Sequence, residues 1–170
     1  MEPRIQYAKT KDGVSIAFWT LGEGPPLVVM PSIPWNHVQL EWRQPDTRRW
    51  YETLAENRRV VRYDVRGTGM SDRDAVDFSI AAQVLDLESV VDRLGLEVFV
   101  LLGLGNSGPA AIAYAAEHQR RVSHLILWGA WAQASDWSTI PGFKAMRGLL
   151  GRDWETYTEA YAHVTFGWSL

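Results

Sequence analysis

The run Gly103-Leu104-Gly105-Asn106-Ser107-Gly108 is the segment of this chain whose residue types and spacing best fit a ligand-binding or catalytic loop. It follows the apolar stretch 98–102 and precedes an alanine-rich segment, so it predicts a turn between a strand and a helix. Three glycines spaced as G-x-G-x-x-G are typical of a dinucleotide-binding loop, formed here by Gly103, Gly105 and Gly108. A purely structural use also fits, because glycines permit positive φ and close packing of a helix on a sheet.

The dinucleotide interpretation requires two further features. The loop should follow the first strand of a βαβ unit, and an acidic residue should end the next strand about 20 positions later. Here at least three predicted strands precede the loop, and the next strand ends in Leu127-Trp128-Gly129-Ala130, without an acid. Dinucleotide binding therefore stays an alternative that its surroundings do not favour, and we expect no cofactor.

Strands that alternate with helices are predicted to position this loop. Ser79 is placed to cap one helix and Gly95 to end it. Apolar runs predict strands at 14–20, 27–30, 59–64, 98–102 and 125–128, and helical spacing predicts helices at 50–56, 80–94 and 109–118. This alternation predicts an α/β fold with a mostly parallel sheet flanked by helices. From residue 136 onward the pattern becomes helical, with breaks at proline and glycine.

Composition excludes several kinds of site and partner. The 170 residues carry a net charge of -3 with acids and bases mixed, so we expect neither nucleic-acid nor membrane-surface binding. The absence of cysteine excludes disulfides and thiolate metal sites, and we expect no metal. The charged residues 1–4 have no apolar signal core, and no apolar run is long enough to span a membrane. A cytoplasmic protein is the resulting expectation.

Several motifs resemble those of α/β-hydrolases. Residues 63–72, Tyr-Asp-Val-Arg-Gly-Thr-Gly-Met-Ser-Asp, resemble the D-x-R-G-x-G-x-S turn after the fourth strand of that fold. Residues 101–118 resemble its nucleophile elbow and following helix, and 121–127 resemble the approach to the sixth strand. A narrower resemblance, to the hydrolase domains found beside LuxR-type regulators and adenylate cyclases, is carried by Trp35-Asn36-His37, Glu41-Trp42 and Arg62-Tyr63-Asp64.

The resemblance covers about residues 5 to 135 and implies the N-terminal portion of an α/β-hydrolase fold. It implies a truncated α/β-hydrolase core at residues 1–132, containing the strands through the sixth. Residues 133–170 resemble the start of a helical lid. We therefore expect two parts in this chain.

In that family the elbow reads G-x-S-x-G and presents a nucleophile beside two backbone N–H donors. Matched residue by residue, the nucleophile position is Gly105, which has no side chain. The resemblance implies that Ile33 and Asn106 supply the oxyanion donors, and we place Trp35 and His37 near that pocket.

Ser107 is the alternative nucleophile. Two residues along a helix turn a side chain by about 200°, so we expect Ser107 to point elsewhere. It would then cap the helix or pack as a small residue against the sheet.

The family's catalytic acid and histidine follow later strands, so we expect no intact triad in these residues. One hypothesis is a hydrolase-like protein without activity on its own that binds a small apolar ligand or a protein partner. The alternative is a serine-type hydrolase, acting on an ester or a related small molecule, completed by another chain. Whether the chain is an enzyme stays open at this point.

The apolar strand 125–128 is expected to leave an open sheet edge, which is a pairing hazard. We therefore expect a homo-oligomer, or a second chain that completes the sheet.

Overall fold

The computed structural model describes residues 2–32 and 36–166. Two residues predicted to lie at the pocket, Ile33 and Trp35, fall outside the described residues. The other predicted site residues, Gly105, Asn106, Ser107 and His37, are all described.

Strands and helices alternate along the described chain. The strands are β1 (Gln6–Lys9), β2 (Ser15–Leu21), β3 (Pro26–Met30), β4 (Arg59–Tyr63), β5 (Phe99–Leu104) and β6 (Val122–Trp128). The helices are α1 (Val38–Arg43), α2 (Pro45–Ala55), α3 (Ile80–Arg93), α4 (Gly108–Glu117), α5 (Ala134–Ser138), α6 (Pro141–Arg147) and α7 (Trp154–Phe166). A single 3-10 turn, Gly105–Ser107, connects β5 to α4.

The strands form one mixed sheet in the order β1-β2-β4-β3-β5-β6. β2 runs antiparallel to β1 and to β4, whereas β4, β3, β5 and β6 pair in parallel. This arrangement confirms the predicted α/β class with a mostly parallel sheet. Because the carboxyl ends of parallel strands share one edge, the loops after β3, β4 and β5 come together there.

Apolar clusters cover both faces of the central strands. On one face Leu87 and Val90 of α3 and Tyr114 of α4 are buried with strand residues such as Leu101. On the other face Trp42 of α1 and Tyr51 of α2 are buried with Trp19 of β2, whose ring meets that of Tyr51 edge to face at 4.9 Å. Burial on both faces explains why β3 and β5 are continuously apolar.

β6 is an edge strand that remains exposed. Consecutive apolar side chains at its end, which face opposite sides of the sheet, are all partly open to solvent: Leu125 36%, Ile126 47%, Leu127 42% and Trp128 62%. The neighbouring strand β5 is almost completely buried. The predicted open apolar edge is therefore present in the described structure.

Short elements account for the differences from the sequence-based assignment. β1 and α1 were not predicted, and the helix predicted at residue 50 begins at Pro45. β1 has one buried side chain, Ala8, so its alternation is too weak to recognise. The predicted Ser79 cap is confirmed, because its hydroxyl accepts a hydrogen bond from the Ala82 N–H at 3.2 Å.

The chain forms two compact units that divide between Ala130 and Trp131. The first contains the sheet with α1 to α4, and the second contains α5 to α7. The role of the second unit as a lid stays a prediction. Within the described residues, every helix is too short or too polar to cross a membrane.

Candidate functional site

The predicted elbow lies where β5 turns into α4. Gly105 adopts φ +51°, a left-handed backbone conformation that side chains other than glycine rarely adopt. Gly103 has a different requirement, because a Cβ there would lie 2.9 Å from the Ala111 Cβ, closer than packing allows. Gly103 therefore lets α4 pack against β5, while Gly105 makes the sharp turn.

Ser107 lies inside this turn and is fully buried. Its Oγ accepts a hydrogen bond from the Leu104 N–H at 2.9 Å and donates one to the Leu104 carbonyl at 3.0 Å. Ser107 makes no side-chain capping bond to α4, so the predicted cap is wrong, whereas packing as a small buried residue is confirmed. A buried hydroxyl that is both donor and acceptor to its own turn is badly placed for attack on a substrate.

Ser32 is a site residue that the sequence analysis missed. It follows β3 by two residues, and Met30 of β3 pairs with Gly103 of β5, so Ser32 and Gly105 continue the two strands in the same register. A Cβ on Gly105 would lie 2.7 Å from the Ser32 Oγ. The space of the missing side chain is therefore bordered by a hydroxyl from the neighbouring loop.

Asp64, directly after β4, anchors the end of the loop that follows β3. Its carboxylate accepts hydrogen bonds from the Val38 N–H at 2.9 Å, the Asn36 side chain at 3.1 Å and the Met70 N–H at 2.8 Å. Burial raises the pKa of Asp64 above its ordinary value, although these donors favour the charged form. Asp64 thus holds residues 36–38 against the turn at residues 67–71.

His37 caps α1, as its Nδ1 accepts a hydrogen bond from the Leu40 N–H at 3.3 Å. The His37 N–H donates to the Glu41 carboxylate, which is paired with the buried Arg62. Burial opposes ionisation of Glu41, but Arg62 and the Tyr51 hydroxyl hold the pKa of Glu41 below its usual range. The structure gives His37 a structural contact, and its pocket role stays a prediction.

Among the described residues, no ion pair places a histidine with a carboxylate at the elbow, where such a pair could activate a nucleophile. In residues 2–32 and 36–130, the histidine paired with a carboxylate is His118, whose Nε2 lies 3.3 Å from Glu88. His118 follows the C-terminal end of the ten-residue α4, about 15 Å along the helix from the elbow. Among the described residues no three His, Asp or Glu side chains are placed to share a metal ion.

Comparisons with known proteins agree with this geometry. Residues 25–166 match the family model described as alpha/beta hydrolase fold. The AB hydrolase superfamily protein YisY of Bacillus subtilis (strain 168) is 30% identical over 138 residues, which cover 81% of this chain and 48% of YisY. This chain thus spans about half the length of that relative.

Solved structures share the fold. The esterase EaEST from Exiguobacterium antarcticum superposes with a TM-score of 0.73 at 24% identity, over 94% of this chain and 60% of the esterase. A hydrolase from Pseudomonas aeruginosa PA01 superposes with a TM-score of 0.67 at 22% identity, over 94% of this chain and 66% of that protein. Because the family model matches residues 25–166 and the sheet order agrees with it, the chain belongs to the α/β-hydrolase fold family.

Proposed function

We propose that this chain binds a small, mostly apolar ligand at the elbow and does not hydrolyse it with its own residues. The observation that carries the proposal is Gly105, which has the sharp backbone turn of an elbow but no side chain to attack a carbonyl. The nearby Ser107 hydroxyl is committed to the Leu104 backbone. The relatives include proteins named as hydrolases, whereas Gly105 gives this chain no attacking side chain at the elbow.

The substitution Gly105→Ser tests this proposal. We expect its rate of p-nitrophenyl butyrate hydrolysis to stay within about tenfold of the wild-type rate, because nucleophile, base and acid act as a unit. A lone serine on the turn has no described histidine partner to take its proton. The measurement is release of p-nitrophenol by purified wild-type and Gly105→Ser chains at equal concentration, with cooperative thermal unfolding showing that the variant is folded despite its Cβ lying 2.7 Å from the Ser32 Oγ.

Ser107→Ala is the matched control in the same turn. Wild-type turnover that disappears in Ser107→Ala, or fluorophosphonate labelling of Ser107, would contradict the proposal and favour the active hydrolase. Full turnover by Gly105→Ser would show that a base is present after all.

A second candidate is a hydrolase completed by another chain, and the exposed edge strand β6 favours it. Its apolar side chains are open on both faces of the sheet, so a neighbouring strand and its helices would bury them. For the edge itself we propose a second copy of this chain, which would cover β6 and belongs with the non-hydrolysing function proposed first. A different polypeptide that adds strands, and with them a catalytic acid and histidine, is the alternative occupant.

The solution mass tests this pairing. We expect light scattering to give about twice the 19.3 kDa mass of one chain, and Ile126→Lys on β6 to return it to the monomer value. Val76→Lys is the control, because Val76 is 93% exposed and lies outside the helices and strands. A wild-type monomer at every concentration would argue against a second copy.

We also propose that this function is carried out in the cytoplasm, without a bound cofactor or metal. Cell fractionation with detection of the chain tests the location. Titration with NAD and FAD tests the dinucleotide alternative at Gly103, Gly105 and Gly108, for which we expect no binding.

A further inference from the structure

The loop after β3 and the elbow after β5 meet at one pair of residues, Ser32 and Gly105. β3 and β5 are neighbouring parallel strands, and their last pair in the ladder that leads here is Met30 with Gly103. Two residues further along each chain are Ser32 and Gly105. The sheet register therefore brings these two backbone positions together, and the contact itself is made by the Ser32 side chain.

The two residues are also coupled by their volumes. A Cβ on residue 105 would lie 2.7 Å from the Ser32 Oγ and 3.5 Å from the Ser32 Cβ. The first distance is too short for two unbonded atoms, while the second is an ordinary contact. The Ser32 hydroxyl in its present position is thus compatible with glycine at position 105 and with no larger residue.

The Ser32 hydroxyl has the exposure and chemistry of a ligand-binding group. The residue is half-buried, in contrast to the fully buried Ser107. Within the described residues, no hydrogen bond occupies the Ser32 hydroxyl, so it is able to donate one. The ten-residue α4 begins just after the elbow, and its N-terminal dipole favours an oxygen that carries negative charge.

An apolar surface lies beside the Ser32 hydroxyl and the Gly105 turn. Leu104 and Trp128 are paired in the register of β5 and β6, and Trp128 is largely exposed. The Trp128 ring lies 6.1 Å from that of Trp50, measured between centroids. A ligand with one carbonyl group and a short apolar tail would match these two kinds of surface.

We propose that the Ser32 hydroxyl is a positioning group that donates a hydrogen bond to the carbonyl oxygen of a small apolar ligand seated at the Gly105 turn. This inference rests on the proposed function and names the group that orients the ligand in the same site. Ser32 takes up part of the space that a side chain at position 105 would fill.

Binding of butyrate and of butyramide, followed by NMR shifts of the amides at residues 103–108, tests this proposal. We expect Ser32→Ala to weaken butyrate binding about tenfold, since a hydrogen bond to a charged group is lost. Ser32→Thr keeps the hydroxyl and should bind within about threefold of wild type. Ser135→Ala, in the second unit, is the matched control and should leave the affinity unchanged. Butyramide, whose carbonyl oxygen is neutral, should show a smaller loss in Ser32→Ala, and an unchanged butyramide affinity in that variant would overturn the role of Ser32 towards a carbonyl oxygen.

Gly105→Ala provides a test that does not depend on the ligand's identity. Its new Cβ should displace the Ser32 hydroxyl, so it should lower the thermal midpoint more in the wild type than in the Ser32→Ala background. Equal effects in both backgrounds would overturn the juxtaposition.

The outcomes separate the two proposals. Butyrate shifts at residues 103–108 with equal affinity for wild type and Ser32→Ala would overturn the role of Ser32 and leave ligand binding at the elbow intact. Absence of shifts in the wild type with either probe would overturn both.

Discussion

Asp86→Ala is expected to lower the free energy of unfolding by about 3–5 kcal/mol, because it leaves a buried guanidinium without its main partner. Arg66, in the turn after β4, is 1% exposed, and Asp86 in α3 is fully buried. The Asp86 carboxylate accepts hydrogen bonds from the Arg66 Nε at 2.9 Å and from the Arg66 N–H at 3.0 Å. This pair ties α3 to the turn that carries the D-x-R-G motif. Urea denaturation of both proteins at pH 7 measures the loss.

Asp12→Ala is the control for the Asp86 variant, since Asp12 is the second partner of Arg66. Asp12 lies 2.7 Å from the Arg66 guanidinium, but its side chain is 39% exposed, so water replaces much of what is lost. We expect a cost of about 1 kcal/mol or less. A loss of about 1 kcal/mol or less for both variants would show that water reaches the Arg66 guanidinium, which would contradict its burial.

The stability contributed by the contact between Asp12 and Arg66 depends on pH. Hydrogen bonding to Arg66 lowers the pKa of Asp12 to about 2, below its ordinary value of 3.8. A carboxyl with a lowered pKa contributes stability above its ordinary pKa and loses that contribution as the pH falls through the lowered value. Burial raises the pKa of the other partner, Asp86, to about 6, so at pH 7 Asp12 is ionised and Asp86 is mostly ionised.

The sheet could be predicted from the sequence because its central strands are buried on both faces. Val28 and Leu101 belong to apolar runs too short for helices and bounded by turn residues, which is the pattern of a buried parallel strand. α1 could not be predicted in the same way. It is six residues long, and its Val38 and Trp42 are buried by tertiary contacts that have no local signal.

The candidate site likewise contains one feature that could be predicted from the sequence and one that could not. The proposal that the nucleophile is missing came from the spacing of Gly103, Gly105 and Ser107, since a motif of neighbouring residues requires no tertiary information. Ser32 was not visible, because its approach to Gly105 depends on the register between β3 and β5, which are about 70 residues apart in sequence. A search for polar residues just after the carboxyl ends of adjacent predicted strands would have found it.

Asp64 is the other residue whose structural role local patterns did not indicate. It is part of the Tyr-Asp-Val-Arg-Gly motif, yet its function in the structure is to bind backbone N–H groups of two separate loops. Such a carboxylate requires space as well as donors, and that space is provided at Gly69. Gly69 is therefore a steric requirement and not only a turn former.

Gly69→Ala is accordingly expected to lower the free energy of unfolding by about 4 kcal/mol. Gly69 has φ +53°, and a Cβ there would overlap the Asp64 carboxylate. Asp64 is fully buried and cannot move into solvent without giving up the N–H groups of Val38 and Met70. The expected loss combines a backbone penalty of about 1–2 kcal/mol with donors left unpaired at about 1–3 kcal/mol each. Urea denaturation of the variant measures it.

Gly95→Ala separates the two causes of this loss. Gly95 has a similar φ of +63° but no atom within 4 Å of a built Cβ, so only the backbone penalty of about 1–2 kcal/mol applies. The difference between the two variants is then the energy of displacing Asp64. Equal losses for both would mean that the Asp64 carboxylate shifts freely, and the loop at residues 36–38 would have to be held by other contacts.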